Sequence, residues 1–288
     1  MSILYIKSNG NVGINKAKAF CKYSKYIFSQ KGMLITSFLK QMDENILSLQ
    51  KNSSTFCALP TVTTGALANS HGDWYEWLLA ITALNHHLSN NTKHIALLLP
   101  NVTRFDVSSL YKPDIQNIIL DLKEKVKESA EVQFVTSNPD FVIIDIQKTD
   151  VDIGFLQSIE NTDENLVPKL ESIYKHFINK CSFDDIVGYL SVKTSLRPDR
   201  RLQIAHEGSL MKAIYAHLQT RQWILTPKGL RYYAAATVIK DPDRNALRTV
   251  ATHSIITVNT LPQAAVDEVF QVNCLNKANE MFSIILND

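Results

Sequence analysis

A chain of 288 residues, 45% apolar and 20% charged, has the length and hydrophobic content to build a sizeable core, which excludes a chain too small or too polar to fold alone. Its net charge of +2 excludes a uniformly basic surface, so any nucleic-acid footprint has to come from local clustering.

The opening stretch, "MSILYIKSNGNVGINKAKAF", lacks the apolar core of a signal peptide. No apolar run approaches the ~20 residues of a membrane helix, so no membrane role is expected. Residues 14–50 read as helical, with Ile14, Ala17, Phe20, Tyr23 and Ile27 near helical spacing. "PTVTTGALANSHG" reads as a loop, followed by the amphipathic helix "DWYEWLLAITALNHHL" with Asp73 as its N-cap. "HIALLLP" (94–100) is a buried strand closed by Pro100, and residues 114–129 return to helical spacing.

The C-terminal half alternates more sharply. "VQFVT" (132–136) and "DFVIIDIQ" (140–147) read as strands, 164–180 as a helix, and "IVGYLSVKTS" (186–195) as a strand. "RLQIAHEGSLMKAIYAHLQTRQW" (201–223) is a long helix, and "YYAAATVI" (232–239) and "HSIITVN" (253–259) are strands. "LPQAAVDEVFQVN", started by Pro262, and the last dozen residues close the chain as helices. These elements predict an α/β fold, a mixed central sheet flanked by helices. No linker is evident, so a single unit over residues 1–288 is expected, with 1–70 as a possible helical N-terminal subdomain. Cys21, Cys57, Cys181 and Cys274 lie far apart without a C-x-x-C pair. They predict buried or half-buried free thiols in a reducing, cytoplasmic setting, not a zinc site or a disulfide framework.

"SVKTSLRPDRRLQIAHEG" (191–208) concentrates charge in an otherwise balanced chain. Period-two alternation puts Tyr189, Ser191 and Lys193 on one strand face. A lysine late in a buried strand needs a carboxylate or phosphate to meet it, unless it is an edge-strand lysine guarding against aggregation. Glu207 extends the apolar stripe of Met211, Ile214 and Leu218, although an acid in the early turns also suits the helix dipole. Pro-Asp occurs four times, but only Pro139-Asp140 runs straight into an apolar strand. There a carboxylate stands at a strand mouth, or simply in a turn. "HEGSL" starts like a zinc-peptidase motif but has Leu210 where the second histidine belongs. His86-His87 has no acid at metal spacing and reads as structural.

Asp140, Lys193 and Glu207 together supply two carboxylates and an ammonium. Oxygen ligands of that kind hold hard cations such as Mg²⁺, and the set suits metal-assisted in-line attack on a phosphodiester. The adjacent basic loop can hold a nucleic-acid backbone or read its bases.

"SNPDF" (137–141), "GDWYEW" (72–77), "LLLPNVTRFDV" (97–107), "ATHSI", "AAVDEVF" and above all "SVKTSLRPDRRLQIAHEGSLMKA" (191–213) closely resemble the type II restriction endonucleases that cut RCCGGY. These form a tetrameric branch of the PD-(D/E)XK superfamily, and the similarity spans nearly the whole chain. The resemblance implies a restriction-endonuclease-like fold and Mg²⁺-dependent cleavage before the first C, leaving a four-base 5′ overhang. It implies Asp140 as the first acid and a metal ligand, and Lys193 as the motif's lysine. Ser191 stands where the superfamily has its second acid, and Glu207 supplies that carboxylate from the following helix. Glu76 matches a further acid near the metal. Arg197, Asp199 and Arg200 match the base-reading loop, with Arg201 a phosphate or helix-start contact. Double-stranded DNA with a CCGG-core palindrome is the implied partner, and a homo-oligomeric dimer of dimers the implied assembly. Trp77 and Trp223 are candidate interface aromatics or core residues. A structure-selective nuclease of the same fold and a non-catalytic DNA-binding protein are the alternatives. The intact acid–lysine set opposes the second, and the base-edge acid in "RPDR" opposes the first.

Overall fold

The computed structural model describes residues 2–100, 105–131, 138–160, 162–256 and 261–287. The chain opens with a hairpin, β1 (Leu4–Ile6) against β2 (Val12–Ile14), turned at Gly10 with φ +79°. Then come α1 (Lys16–Tyr23), α2 (Lys25–Ser29), α3 (Ile35–Lys51) and the 27-residue α4 (Thr64–Asn90). The sheet begins with β3 (His94–Leu98), followed by α5 (Pro113–Ala130), β4 (Phe141–Asp145), the short α6 (Leu166–Leu170) and β5 (Ile186–Lys193). After it run α7 (Pro198–Arg221), β6 (Arg231–Ala236), α8 (Asp241–Leu247), β7 (Glu268–Gln271) and α9 (Leu275–Ile285).

The five-stranded mixed sheet has the order β3-β4-β5-β6-β7. β5 pairs antiparallel with β4 and parallel with β6, so it is central and buried on both faces, as its near-continuous apolar run requires. α4 packs on β3 and α9, while α5 packs on α7, which lies against β6. Long central strands and long helices therefore fall where periodicity put them.

Several expectations are corrected. The helical reading of residues 14–50 divides into α1, α2 and α3, with Ile14 closing the hairpin ahead of them, a hairpin whose three-residue strands are too short to carry a period. α4 starts at Thr64, not Asp73. Thr63 is its N-cap, accepting from Ala66 N at 3.2 Å. "TGALANSHG" thus holds helix despite Gly65 and Gly72, since Leu67, Ser70 and Trp74 are buried and tertiary packing overrides propensity. Residues 164–180 are broken into α6 and a 3₁₀ turn at Ile173–Phe177. The expected strand 253–259 begins as a 3₁₀ turn, Thr252–Ile255, and its residues 257–259 lie outside the described residues. The expected helix 261–273 instead contributes β7, which pairs parallel with β6. The strand expected at 132–136 lies outside the described residues. Cys21 and Cys181 are buried and Cys274 half-buried, but Cys57 is exposed.

At the far end of the sheet His87 Nδ1 lies 2.8 Å from Thr92 Oγ1, whose own hydroxyl donates to the His94 carbonyl at 2.7 Å. With that proton committed, His87 Nδ1 is the donor, which fixes a neutral tautomer. Burial depresses the pKa of both His87 and His94 below the ordinary 6.5. The unfolded chain takes up these protons near pH 6.5 while the folded chain resists, so the histidines' contribution to stability falls as pH drops below that value. His94→Leu should therefore shrink the difference in urea midpoint between about pH 7.5 and 5.5. An unchanged difference would contradict this.

Candidate active site

Asp140 immediately precedes β4, and its carbonyl accepts from Leu99 N at 2.9 Å, which anchors it at the mouth between β3 and β4. In the antiparallel register Phe141 faces Leu190, so the Asp140 side chain meets the end of β5. Its Oδ2 accepts from Val192 N at 2.5 Å, Lys193 Nζ at 2.8 Å and Ser191 Oγ at 3.3 Å, and its Oδ1 from Lys193 Nζ at 3.1 Å. Burying the Lys193 ammonium lowers its pKa, but Asp140, then Glu76 and Glu207, outweigh that and hold it above the ordinary value. Lys193 is charged at any working pH.

α7 brings the third acid. Glu207 is 4% exposed; its Oε2 accepts from Tyr232 Oη on β6 at 3.0 Å and its Oε1 from Gln203 Nε2, one helical turn back, at 2.9 Å. Gly208 lets α7 sit this close to the sheet: a Cβ there would meet Ala265 O at 2.2 Å and Tyr232 Cδ1 at 3.0 Å. The fourth acid, Glu76, comes from α4. Burial and then the adjacent Asp140 raise its pKa well above the ordinary carboxylate value, with Lys193 opposing. Its carboxylate has no hydrogen-bond partner among the described residues.

All four groups line one cleft of about 700 Å³, with Asn138, Gln203, Lys175 and the ion pair of Lys16 with Asp73. A neighbouring recess of about 410 Å³ shares Asn69, Asp73, Glu76 and Lys193 with it and runs on to Arg197 and Arg200. The acid–lysine cleft and the Arg197–Arg200 loop are therefore continuous across the end of β5.

The ligand atoms lining the cleft are hard carboxylate oxygens, the kind that hold hard divalent cations. Among the described residues no three acidic, histidine or cysteine side chains are drawn into a finished ligand cluster, and Lys193 occupies the Asp140 carboxylate. A half-buried carboxylate without a donor, beside a second one, is a pairing that a divalent cation would relieve, so the carboxylates of Asp140, Glu76 and Glu207 fit such an ion.

In the loop, Arg197 is the N-cap of α7, Pro198 its first residue and Asp199 in its first turn. The Arg197 side chain is 66% exposed; its Nη2 reaches Asp199 Oδ2 at 3.1 Å, with Arg200 Nε at 3.9 Å from the same oxygen. Exposed pairs of this kind hold the groups only weakly. Arg201 has a different setting: its Nη1 bonds Asp243 Oδ1 at 2.8 Å in a largely buried pair tying α7 to α8. Trp77 is buried and donates to Glu171 Oε1 at 3.1 Å, whereas Trp223 is 86% exposed at φ +54°.

Asp73, Lys16, Gln203 and Tyr232 were not singled out from sequence. Once α4 is continuous, Asp73 lies three residues before Glu76 on the same face, and Gln203 likewise precedes Glu207 by four. Tyr232 and Lys16 come from distant elements, and only the fold brings them in.

Residues 2–288 match the family model described as Cfr10I/Bse634I restriction endonuclease. The type II restriction enzyme Cfr10I of Citrobacter freundii is 41% identical over 291 residues, all of both chains. A crystal structure of the type IIF restriction endonuclease Bse634I with cognate DNA superposes with a TM-score of 0.87 at 27% identity, covering 99% of this chain and 98% of that one. A further Bse634I structure gives 0.86 at 27% identity, covering 99% and 97%.

Proposed function

The chain belongs to the Cfr10I/Bse634I restriction endonuclease family and is a type II restriction endonuclease; from that premise we propose that it cleaves double-stranded DNA at RCCGGY with Mg²⁺, before the first C, leaving four-base 5′ overhangs. The observation that carries this reading is the meeting of Asp140, Lys193, Glu76 and Glu207 in one cleft that opens onto the Arg197–Arg200 loop.

Asp140 and Glu207 would hold the ion, with Glu76 as a further acid beside it, and the ion would supply an activated water and charge neutralisation at the scissile phosphate. Lys193, held beside Asp140 at 2.8 Å, offers a positive charge to the phosphate. It orients the attacking water and offsets the charge that develops on the phosphoryl oxygens. Ser191 and the Val192 N–H hold Asp140 in register. Tyr232 and Gln203 hold Glu207, which takes from the helix the place of the acid missing at Ser191. The whole chain serves as one endonuclease unit.

For reading, Arg197 and Arg200 offer guanidinium forks to guanine O6 and N7, and Asp199 accepts from cytosine N4. Arg201, braced by Asp243, is reserved for a phosphate beside the helix start. A palindrome calls for a two-fold dimer with one site per strand, and the exposed Trp223 and Leu225 suit a second contact that pairs dimers back to back. The enzyme works in the cytoplasm, where its DNA lies; no helix among the described residues is long and apolar enough to cross a membrane.

Plasmid DNA incubated with the protein and Mg²⁺ should give discrete fragments, and none in EDTA. A smear of random products, or cutting that survives chelation, would refute the reading. Arg200→Ala should weaken binding of the specific duplex by roughly 1–3 kcal/mol and relax discrimination at one base pair. A uniform loss on all sequences with a shallower salt dependence would make Arg200 a phosphate contact instead. Trp223→Ala should lower the sedimenting species from tetramer to dimer, and a tetramer that persists would place the second interface elsewhere.

A further inference from the structure

The opposite end of the sheet has a small cavity of about 160 Å³, lined by Lys93, His94, Val187, Lys228, Gly229 and Arg231, among others. It gathers the N-terminal ends of β3, β5 and β6, the far side of the sheet from Asp140 and Lys193. At ~30 Å³ per water it has room for a small solute of about five waters.

Its polar lining is one-sided. Lys93 is exposed and has no ion-pair partner among the described residues. Lys228 Nζ lies 3.4 Å from Asp145 Oδ2, and Arg231 Nη1 lies 3.8 Å from Asp267 Oδ1, a carboxylate already paired with the buried Lys212 at 2.8 Å. Asp145 is buried, with its other oxygen accepting from Gln147 N at 3.1 Å. Lys93, Lys228 and Arg231 thus face two carboxylates at this rim, Asp145 and Asp267, the second shared with Lys212, and Asp184 adds a negative charge near Lys228.

The decisive group is His94. It is 4% exposed and lines the cavity, and neither ring nitrogen makes a close hydrogen bond among the described residues, although the Ile285 carbonyl and the Asp145 carboxylate lie near the ring. A buried imidazole so loosely held is costly; with Lys93, Lys228 and Arg231 on the same lining, it fits a donor held ready for an anion. We infer that this cavity is a binding site for a small tetrahedral oxyanion of the phosphate class, taken by His94 from the sheet and by Lys93, Lys228 and Arg231 from the rim. The occupant is a free ion and not a DNA phosphate, because the cavity lies at the end of the sheet away from the base-facing loop.

The test is calorimetric titration of the full chain with inorganic phosphate at constant ionic strength, without Mg²⁺. One phosphate per chain should bind in the unaltered protein and in Lys193→Ala, and be lost in His94→Leu. It should weaken by roughly tenfold in Arg231→Gln, and measurably in Lys93→Gln, a change at an exposed side chain that leaves the core intact. All rim variants should cleave DNA at the normal rate. Phosphate binding that survives His94→Leu but disappears in Lys193→Ala belongs to the active-site cleft and overturns the inference. So does binding of a duplex lacking the recognition sequence, but not of phosphate, through His94 and Arg231. Absence of any saturable phosphate binding overturns it as well.

Discussion

Lys193→Ala should remove DNA cleavage, by at least ~10³-fold in the single-turnover rate, while the chain still folds. The size follows from losing a preorganised positive charge where the transition state gathers negative charge, which costs on the order of 10²–10³ for one neutral donor and more for an ammonium. The fold survives because the groups left behind are not stranded. Asp140 keeps the Val192 N–H at 2.5 Å and the Ser191 hydroxyl at 3.3 Å. Asp140→Ala acts in the same direction by a different route: Lys193 keeps Glu76 and Glu207 as neighbouring charges, but the strand-mouth carboxylate is gone. Circular dichroism and single-turnover cleavage of a cognate duplex check both. Near-normal cleavage in either variant would remove that residue from the mechanism.

Gly208→Ala should impair stability and activity together. The added Cβ would lie 2.2 Å from the Ala265 carbonyl oxygen and 3.0 Å from its carbon. Both are backbone atoms that a rotamer change cannot move, so α7 has to lift. Overpacking of this kind costs typically 1–3 kcal/mol, sometimes more. For a chain of this size that lowers Tm by roughly 2–10 °C. Glu207 is the adjacent residue, and a shift of about 1 Å at a catalytic group can cost on the order of 100-fold. Thermal unfolding and cleavage rates measured on one preparation test the link. A variant with unaltered melting and full activity would show that the helix packs differently here.

The difference between what was legible in the sequence and what was not has a physical pattern. β5 and α7 carry long, unambiguous periods, so the strand lysine, the inward glutamate and the loop between them could be read in order. Asp140 could be placed at a strand mouth, but nothing local distinguishes a turn aspartate from one that a neighbouring strand grips with a backbone N–H. β7 escaped because "AAVDEVF" satisfies a helical spacing, and only pairing with β6 makes it a strand. The start of α4 escaped because Gly65, Asn69 and Gly72 are loop-forming residues, kept helical by the burial of Leu67 and Trp74. That error hid Asp73, which reads as a cap when the helix begins there and as a neighbour of Glu76 when it does not. Tyr232 and Lys16 act through contacts across 25 and 57 residues of chain, to Glu207 and Asp73 respectively, and such pairs have no local signature. Arg201 is set apart in the sequence as a phosphate or helix-start contact, and the fold gives it Asp243, a partner from a distant element with no local signature.

The central claim is that the four-residue cleft and the adjoining loop act as one sequence-reading cutter. Mapping both cut ends on a duplex of known sequence, with Mg²⁺ as the added metal, tests it most directly. The account predicts ends only within RCCGGY, one bond before the first C on each strand, with four-base 5′ extensions. Ends scattered over unrelated sequences, or confined to junctions and flaps whatever their sequence, would contradict it.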